Sequence, residues 1–252
     1  MGQMHAADFQ AFLLGDGVAE KNAAFGLNRR LKGEIFDDFH SYTDTQMFTM
    51  ATGADAAAGT AAASDAHGGV LVMTPAGADD NYVVVASTKE LILPVLGKKL
   101  FFQARIKHTE ANTDDANLFV GLSDDGSATA LGAAGAGPSA SYDGIGFHKV
   151  DGGTTWIVEC SNAAVQTTKA SDETAPTRSS GVWTDLAFAI TDWSDDGTKA
   201  YVDFYVDGLC VAYHVELTLS GLAEMQVVLA VKNGGANAEV LYVDFVQVVF
   251  ER

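Results

Sequence analysis

Between Trp183 and Leu217 the chain reads as three strands joined by two turns, and no other stretch restricts the fold as much. In WTDLAFAI, Leu186, Phe188 and Ile190 fall on one side, with Asp185, Ala187 and Ala189 on the other. In AYVDFYV, Val202, Phe204 and Val206 alternate with Tyr201, Asp203 and Tyr205. A period of two marks a strand with one buried face. The third segment, Leu209 to Val215, puts Leu209, Val211, Tyr213 and Val215 on one side by the same alternation. Only Asp207 and Gly208 separate it from the second, and this dipeptide suits a type I′ hairpin, whose two central residues need positive φ.

Similar patterning recurs along the chain. It is seen in EIFDDFHSY from Glu34, GVLVMT from Gly69, NYVVVAS from Asn81 and NLFVGLS from Asn117. KKLFFQARIKH sets Leu100, Phe102, Ala104 and Ile106 against Phe101, Gln103, Arg105 and Lys107. GIGFHKV, a DGG turn and TWIVEC form a hairpin from Gly144 to Cys160, and MQVVLAVKN and EVLYVDFVQVVFER complete the set. Met50 to Gly69 and Asp124 to Asp143, built mostly of small residues, read as surface loops, and Ser161 to Ser180 as a polar excursion. About twelve strands without a long helical pattern predict an all-β, antiparallel β-sandwich or jelly roll over residues 34–252.

Residues 1–33 differ from the rest. Up to residue 34, Asp8, Asp16, Glu20 and Glu34 balance Lys21, Arg29, Arg30 and Lys32, so the formal charge of −18 belongs to the remainder. The segment reads as an N-terminal arm, with a leader or a piece of the sandwich edge as alternatives. Its candidate partner-binding residues are apolar Phe9, Phe12 and Leu13 with basic Arg29, Arg30 and Lys32. A charge of −18 argues against gripping nucleic acid, which needs Lys and Arg to neutralise phosphate. With no signal-peptide pattern and no apolar run of membrane-span length, a soluble, cytosolically made protein without a membrane partner is expected. Cys160 and Cys210 are expected to be free thiols in that compartment.

The stretch from Trp183 to Val211, W-x₂-L-x-F-x-I followed by Y-V-D-F-Y-V-D-G-L-x-V, resembles the concanavalin A-like lectin/glucanase sandwich. NLFVGLS (Asn117 to Ser123) and DGIGFHKVDGGTTW (Asp143 to Trp156) resemble tailed-bacteriophage virion proteins of that fold, which serve in capsid decoration or as minor capsid components. The resemblance covers residues 34–252 and rests on strand and turn patterns. It implies a concanavalin A-like jelly roll and a non-enzymatic virion structural protein that decorates or cements a capsid. Such a protein would attach through the arm and one sandwich face to the major capsid protein or other virion proteins. It would be located in the virion, assembled in the host cytoplasm, with self-association as a further contact. The alternative is a lectin-like carbohydrate-binding module on a phage head or tail, for which Tyr142, Trp156, Trp183 and Trp193 are the platform candidates for a glycan, although core or turn packing is the favoured reading of these aromatics.

Glycosidases that share this sandwich carry E-x-D-x-x-E on one strand, and acid/base work on a glycosidic bond needs paired carboxyls on one face. The string is absent here. The nearest approaches are Asp203 with Asp207, a turn residue, and Asp244 with Glu251, Asp244 sharing its face with Tyr242 and Val246. Asp-rich turns at residues 79–81, 114–115, 124–126 and 195–197 match ordinary turn chemistry, and no cofactor is expected; a structural calcium is the alternative. His5, His40, His67, His108, His148 and His214 show no zinc spacing, and His148 and His214 read as strand residues with an ordinary hydrogen bond. Neither a nucleophile elbow nor a phosphate loop is present.

Overall fold

Fifteen strands run through the described residues of the computed structural model, which are 32–53, 59–64, 68–110, 114–170 and 181–252. One antiparallel sheet, sheet A, holds β1 (Lys32–Asp37), β3 (Thr60–Ser64), β4 (Val70–Thr74), β6 (Leu100–Thr109), β11 (Thr184–Trp193), β12 (Lys199–Val206), β13 (Leu209–Thr218) and β15 (Val240–Glu251). Its order is β13-β12-β11-β6-β15-β4-β3, and β1 lies beside β15, with Lys32 opposite Glu251. The second, sheet B, holds β2 (Phe48–Thr52), β5 (Tyr82–Ser87), β7 (Ala116–Ser123), β8 (Gly144–Lys149), β9 (Ile157–Asn162), β10 (Val165–Ala170) and β14 (Gln226–Asn233). Its order is β10-β9-β8-β7-β14-β5-β2. Among the described residues no helix is long and apolar enough to cross a membrane.

Alternation decides what lies between the sheets. Leu186, Phe188, Ile190, Val202, Phe204 and Val206 are buried there, as their spacing predicts, together with Leu100, Phe102, Ala104 and Ile106 from β6. Sheet B contributes Val83, Val85, Leu118, Val120, Leu122, Ile145, Phe147, Val227 and Leu229. At the β12–β13 turn Asp207 has φ +50° and Gly208 φ +77°, the pair of positive values a type I′ turn requires.

Several segments depart from their sequence reading. The small-residue stretch from Met50 to Gly69 contains the end of β2 and all of β3, which pairs with β4 from Thr60↔Thr74 to Ser64↔Val70. The polar excursion from Ser161 to Ser180 contains β10, paired with β9. With β2, β3 and β10 the strand total exceeds the expected twelve. Ladder bonds use backbone groups alone, so a strand at a sheet edge forms without large apolar side chains. In β13 one extra residue opposes β12 between Val215 and Ala212, so Tyr213 is exposed and does not share the buried side with Val215. A second extra residue before Cys210 restores the count, and Leu209, opposite Val206 beside the turn, is exposed at the sheet edge. A bulge in β15 between Val243 and Phe245 likewise sends Val246 into the core, away from Asp244.

The outer face of sheet B is covered by the chain itself. Ala130, Leu131 and Tyr142, from the loop between β7 and β8, pack on Phe119, Val84, Ala86, Val228 and Ala230. Gly146 makes room for this layer, because a Cβ there would stand 2.7 Å from the Phe119 ring. His148 lies under the same loop against Gly137, and its Nδ1 has no hydrogen-bond partner among the described residues.

Two stability predictions follow from this packing. Phe204→Ala should lower unfolding free energy by about 3–5 kcal/mol, the range for truncating a packed aromatic, and a loss below about 1 kcal/mol in urea melts would contradict the core described above. Burial pushes the His148 imidazole down to about 4. The unfolded chain therefore binds a proton near pH 6.5 that the folded chain refuses until about pH 4. Stability present above pH 6.5 is lost as pH falls through 4. His148 should contribute about 3 kcal/mol of that loss, so His148→Gln should flatten the pH dependence of urea melts between about pH 7 and about pH 4. Parallel profiles for the two chains would show that His148 does not drive the acid lability.

Candidate functional site

The outer face of sheet B is the broad surface on which a sandwich of this kind could place chemistry. Its seven strands carry one acidic residue, Glu159. Glu159 sits on β9 opposite Gly146 of β8 and is 5% exposed. The Tyr142 hydroxyl donates to its Oε1 at 2.8 Å, and Thr168 of β10 donates to its Oε2. Burial, then the neighbouring Glu159, pushes the Tyr142 hydroxyl well above its ordinary pKa, so it stays a donor. Both carboxylate oxygens are thus engaged under the covering loop. Glycoside hydrolysis needs a second carboxyl about 5–9.5 Å away, and no strand of this sheet supplies one.

The other acidic candidates are engaged in structure. Asp203 Oδ1 accepts the His214 backbone N–H at 2.8 Å, and Asp207 Oδ1 accepts that of Asp185 at 3.0 Å. Asp244 faces the Arg105 guanidinium at 3.3 Å, and Glu251 Oε2 accepts the Lys99 N–H at 3.0 Å. Asp196 accepts from the Ser194 and Thr198 hydroxyls and the Thr198 N–H, which holds its carboxyl down to about 2. Among the described residues no three His, Cys, Asp or Glu side chains gather as a metal site would require. Cys160 and Cys210 are free, and burial raises both thiols above their ordinary pKa.

Of the aromatic platform candidates, Trp156 and Tyr142 are buried, and Trp193 is half-buried against the core. Trp183 is half-buried on the outer face of sheet A, with Lys107 Nζ 4.9 Å from its ring. Phe9, Phe12, Leu13, Arg29 and Arg30 of the arm lie outside the described residues, as do His5 and His67. Lys32 is the first residue of β1.

The structure adds a feature that alternation hides. Tyr213, at 67% exposure, stacks on His214 at 3.8 Å between centroids, and His214 stacks on Tyr201 at 4.8 Å. Asp192 Oδ2 lies 3.6 Å from His214 Nε2. The signal missing from the sequence is the residue inserted between Val215 and Ala212, which turns Tyr213 outward.

No family model matches the chain, and no curated protein sequence matches it. Solved structures do resemble it. The endo-1,3-beta-glucanase of Streptomyces sioyaensis superposes with a TM-score of 0.57 at 14% identity, over 87% of this chain and 96% of that one. A protein of unknown function from Shewanella oneidensis MR-1 gives 0.56 at 12%, over 100% and 96%. Peanut lectin gives 0.55 at 9%, over 87% and 97%. At these identities the likeness is one of fold: the chain is an all-β sandwich of two antiparallel sheets, with lectin and glucanase jelly rolls as its structural neighbours.

Proposed function

We propose that this chain is a non-enzymatic, lectin-like module that binds carbohydrate. Its structural neighbours include an enzyme and a lectin, so fold leaves both classes open. The observation that favours the lectin class is Glu159: the single acidic residue in the strands of sheet B is buried and hydrogen-bonded through both oxygens. A carboxylate buried and tied in this way is not presented to a ligand, and the strands of its sheet give it no second carboxyl for acid/base work. Incubation with β-1,3-glucan should release no new reducing ends, while a glycan array should retain the purified chain. Cleavage that disappears in Glu159→Gln would reverse the assignment, and an array with no retained glycan would remove the carbohydrate reading.

A second reading places the same module on a virion, as a decorating or cementing protein of a phage capsid with capsid proteins as partners. Support comes from the resemblance of Asn117–Ser123 and Asp143–Trp156, and from the mount of the arm. All six residues of β1 pair with β15, so Lys32, to which the arm is joined, is held at a fixed point of the sandwich. A chain beginning at Lys32 should melt like the full chain yet fail to bind particles purified without this protein. Undiminished binding by the shortened chain would show that the arm is not the attachment.

A further inference from the structure

The site in this module that best fits a sugar is on the outer face of sheet A, at the β12–β13 edge. We propose that Tyr213, backed by His214 and Tyr201, is a stacking platform for a neutral sugar ring; this rests on the carbohydrate-binding reading above.

The local backbone is built to hold Tyr213 out. Strict alternation from Val215 would turn Tyr213 inward, but between Val215 and Ala212 β13 carries one more residue than β12. His214 adopts φ +51°, a left-handed conformation that is strained for a non-glycine residue. Its N–H is fixed by Asp203 Oδ1 at 2.8 Å. Beneath Tyr213 the rings of His214 and Tyr201 lie within 16° of parallel to their neighbours in the stack, so the outermost ring is supported from below. A ring held in place before the ligand arrives loses little conformational entropy on binding.

The surroundings define the ligand class. One face of a pyranose ring presents C–H groups, which pack on an aromatic face, and its rim presents hydroxyls. Asp192, with 60% of its side chain exposed beside His214, offers carboxylate oxygens to such hydroxyls, and bonds of this charge-assisted kind are strong. Asp203 and Glu216 flank the same strands, and the nearby Lys199 is paired to Glu216 at 2.6 Å. The rim is therefore anionic and repels uronates and sialylated glycans over about a Debye length, roughly 8 Å at physiological salt. Neutral hexose polymers fit these demands.

Calorimetric titration of the full chain should use a neutral β-glucan hexasaccharide and a hexauronate, with native, Tyr213→Ala and Leu209→Ala chains. The native chain should bind the neutral sugar and bind the uronate at least about tenfold more weakly. Tyr213→Ala should weaken neutral-sugar binding by about tenfold or more. Leu209→Ala, which removes another exposed side chain of β13, should leave it unchanged. If the native chain binds the neutral sugar and Tyr213→Ala binds it equally well, the site lies elsewhere while the carbohydrate reading stands. If the uronate binds as tightly as the neutral sugar, the ligand class is wrong. No binding of either sugar by the native chain would overturn both the reading and the platform.

Discussion

A chain of four phenylalanine rings ties the two sheets together, and the rest of the molecule depends on it. Phe102 of β6 stacks on Phe188 of β11 at 4.8 Å, and Phe188 meets Phe204 of β12 at 5.6 Å. Phe204 then meets Phe147 of β8, across the sandwich, edge-on at 5.2 Å. Each ring occupies the inward position of its strand, so this contact fixes which half of every strand is core and which half is surface. A slip of one residue would turn Phe188 or Phe204 to the opposite face and expose its neighbours with it. The end of the core is closed differently. Lys149 is fully buried, 2.8 Å from Glu110 Oε1 and bonded to the Asp114 and Ala116 carbonyls. A buried ammonium in this position persists because the Glu110 carboxylate and two backbone carbonyls accept its hydrogen bonds.

With the inward faces set, the outward faces diverge. On sheet B the loop between β7 and β8 lays a second small apolar layer over Phe119 and Val228, and the only acidic residue there is locked to Tyr142 and Thr168. On sheet A the outer face keeps Arg105 between Asp185 and Asp244, Lys107 between the Trp183 and Tyr242 rings, and Phe36 stacked on Phe245. One sheet spends its outer surface on stability, while the other leaves charged and aromatic groups within reach of solvent.

The division between what could be read from the sequence and what could not follows from what each signal measures. Alternation reports side-chain burial, so it locates Leu186–Ile190, Val202–Val206 and the inward half of β6 correctly. It is silent for β3 and β10, whose pairing uses backbone groups and whose side chains are small or polar. It fails in register at β13 and β15, where inserted residues reset the inside–outside count and put Tyr213 in solvent and Val246 in the core. Trp156 and Tyr142 are buried, and the sequence alone does not separate this from a platform role, because an aromatic side chain looks the same there whether it caps a core or faces solvent. Burial of Tyr142 depends on a loop whose Ala- and Gly-rich composition gives no hint that it folds back onto a sheet.

The distribution of charge completes the physical picture. Of 33 acidic residues in the chain, a single one belongs to the strands of sheet B, although the formal charge is −18. The net acidity therefore resides in the loops and in sheet A, since Asp8, Asp16 and Glu20 ahead of β1 are balanced by Lys21, Arg29 and Arg30. A sheet whose strands carry a single, buried carboxylate presents no pair of carboxylates from those strands, and its apolar cover needs no charge nearby. Carboxylates gather instead where strand registers break, at Asp192 and Asp203 beside the β13 insertion and at Asp244 in the β15 bulge. A bulge lifts backbone groups out of the ladder and aims a side chain away from the pleat, so it creates the local irregularity that a flat, fully paired sheet lacks. In this sandwich the paired regions supply rigidity, and the places where pairing slips supply the exposed polar and aromatic chemistry.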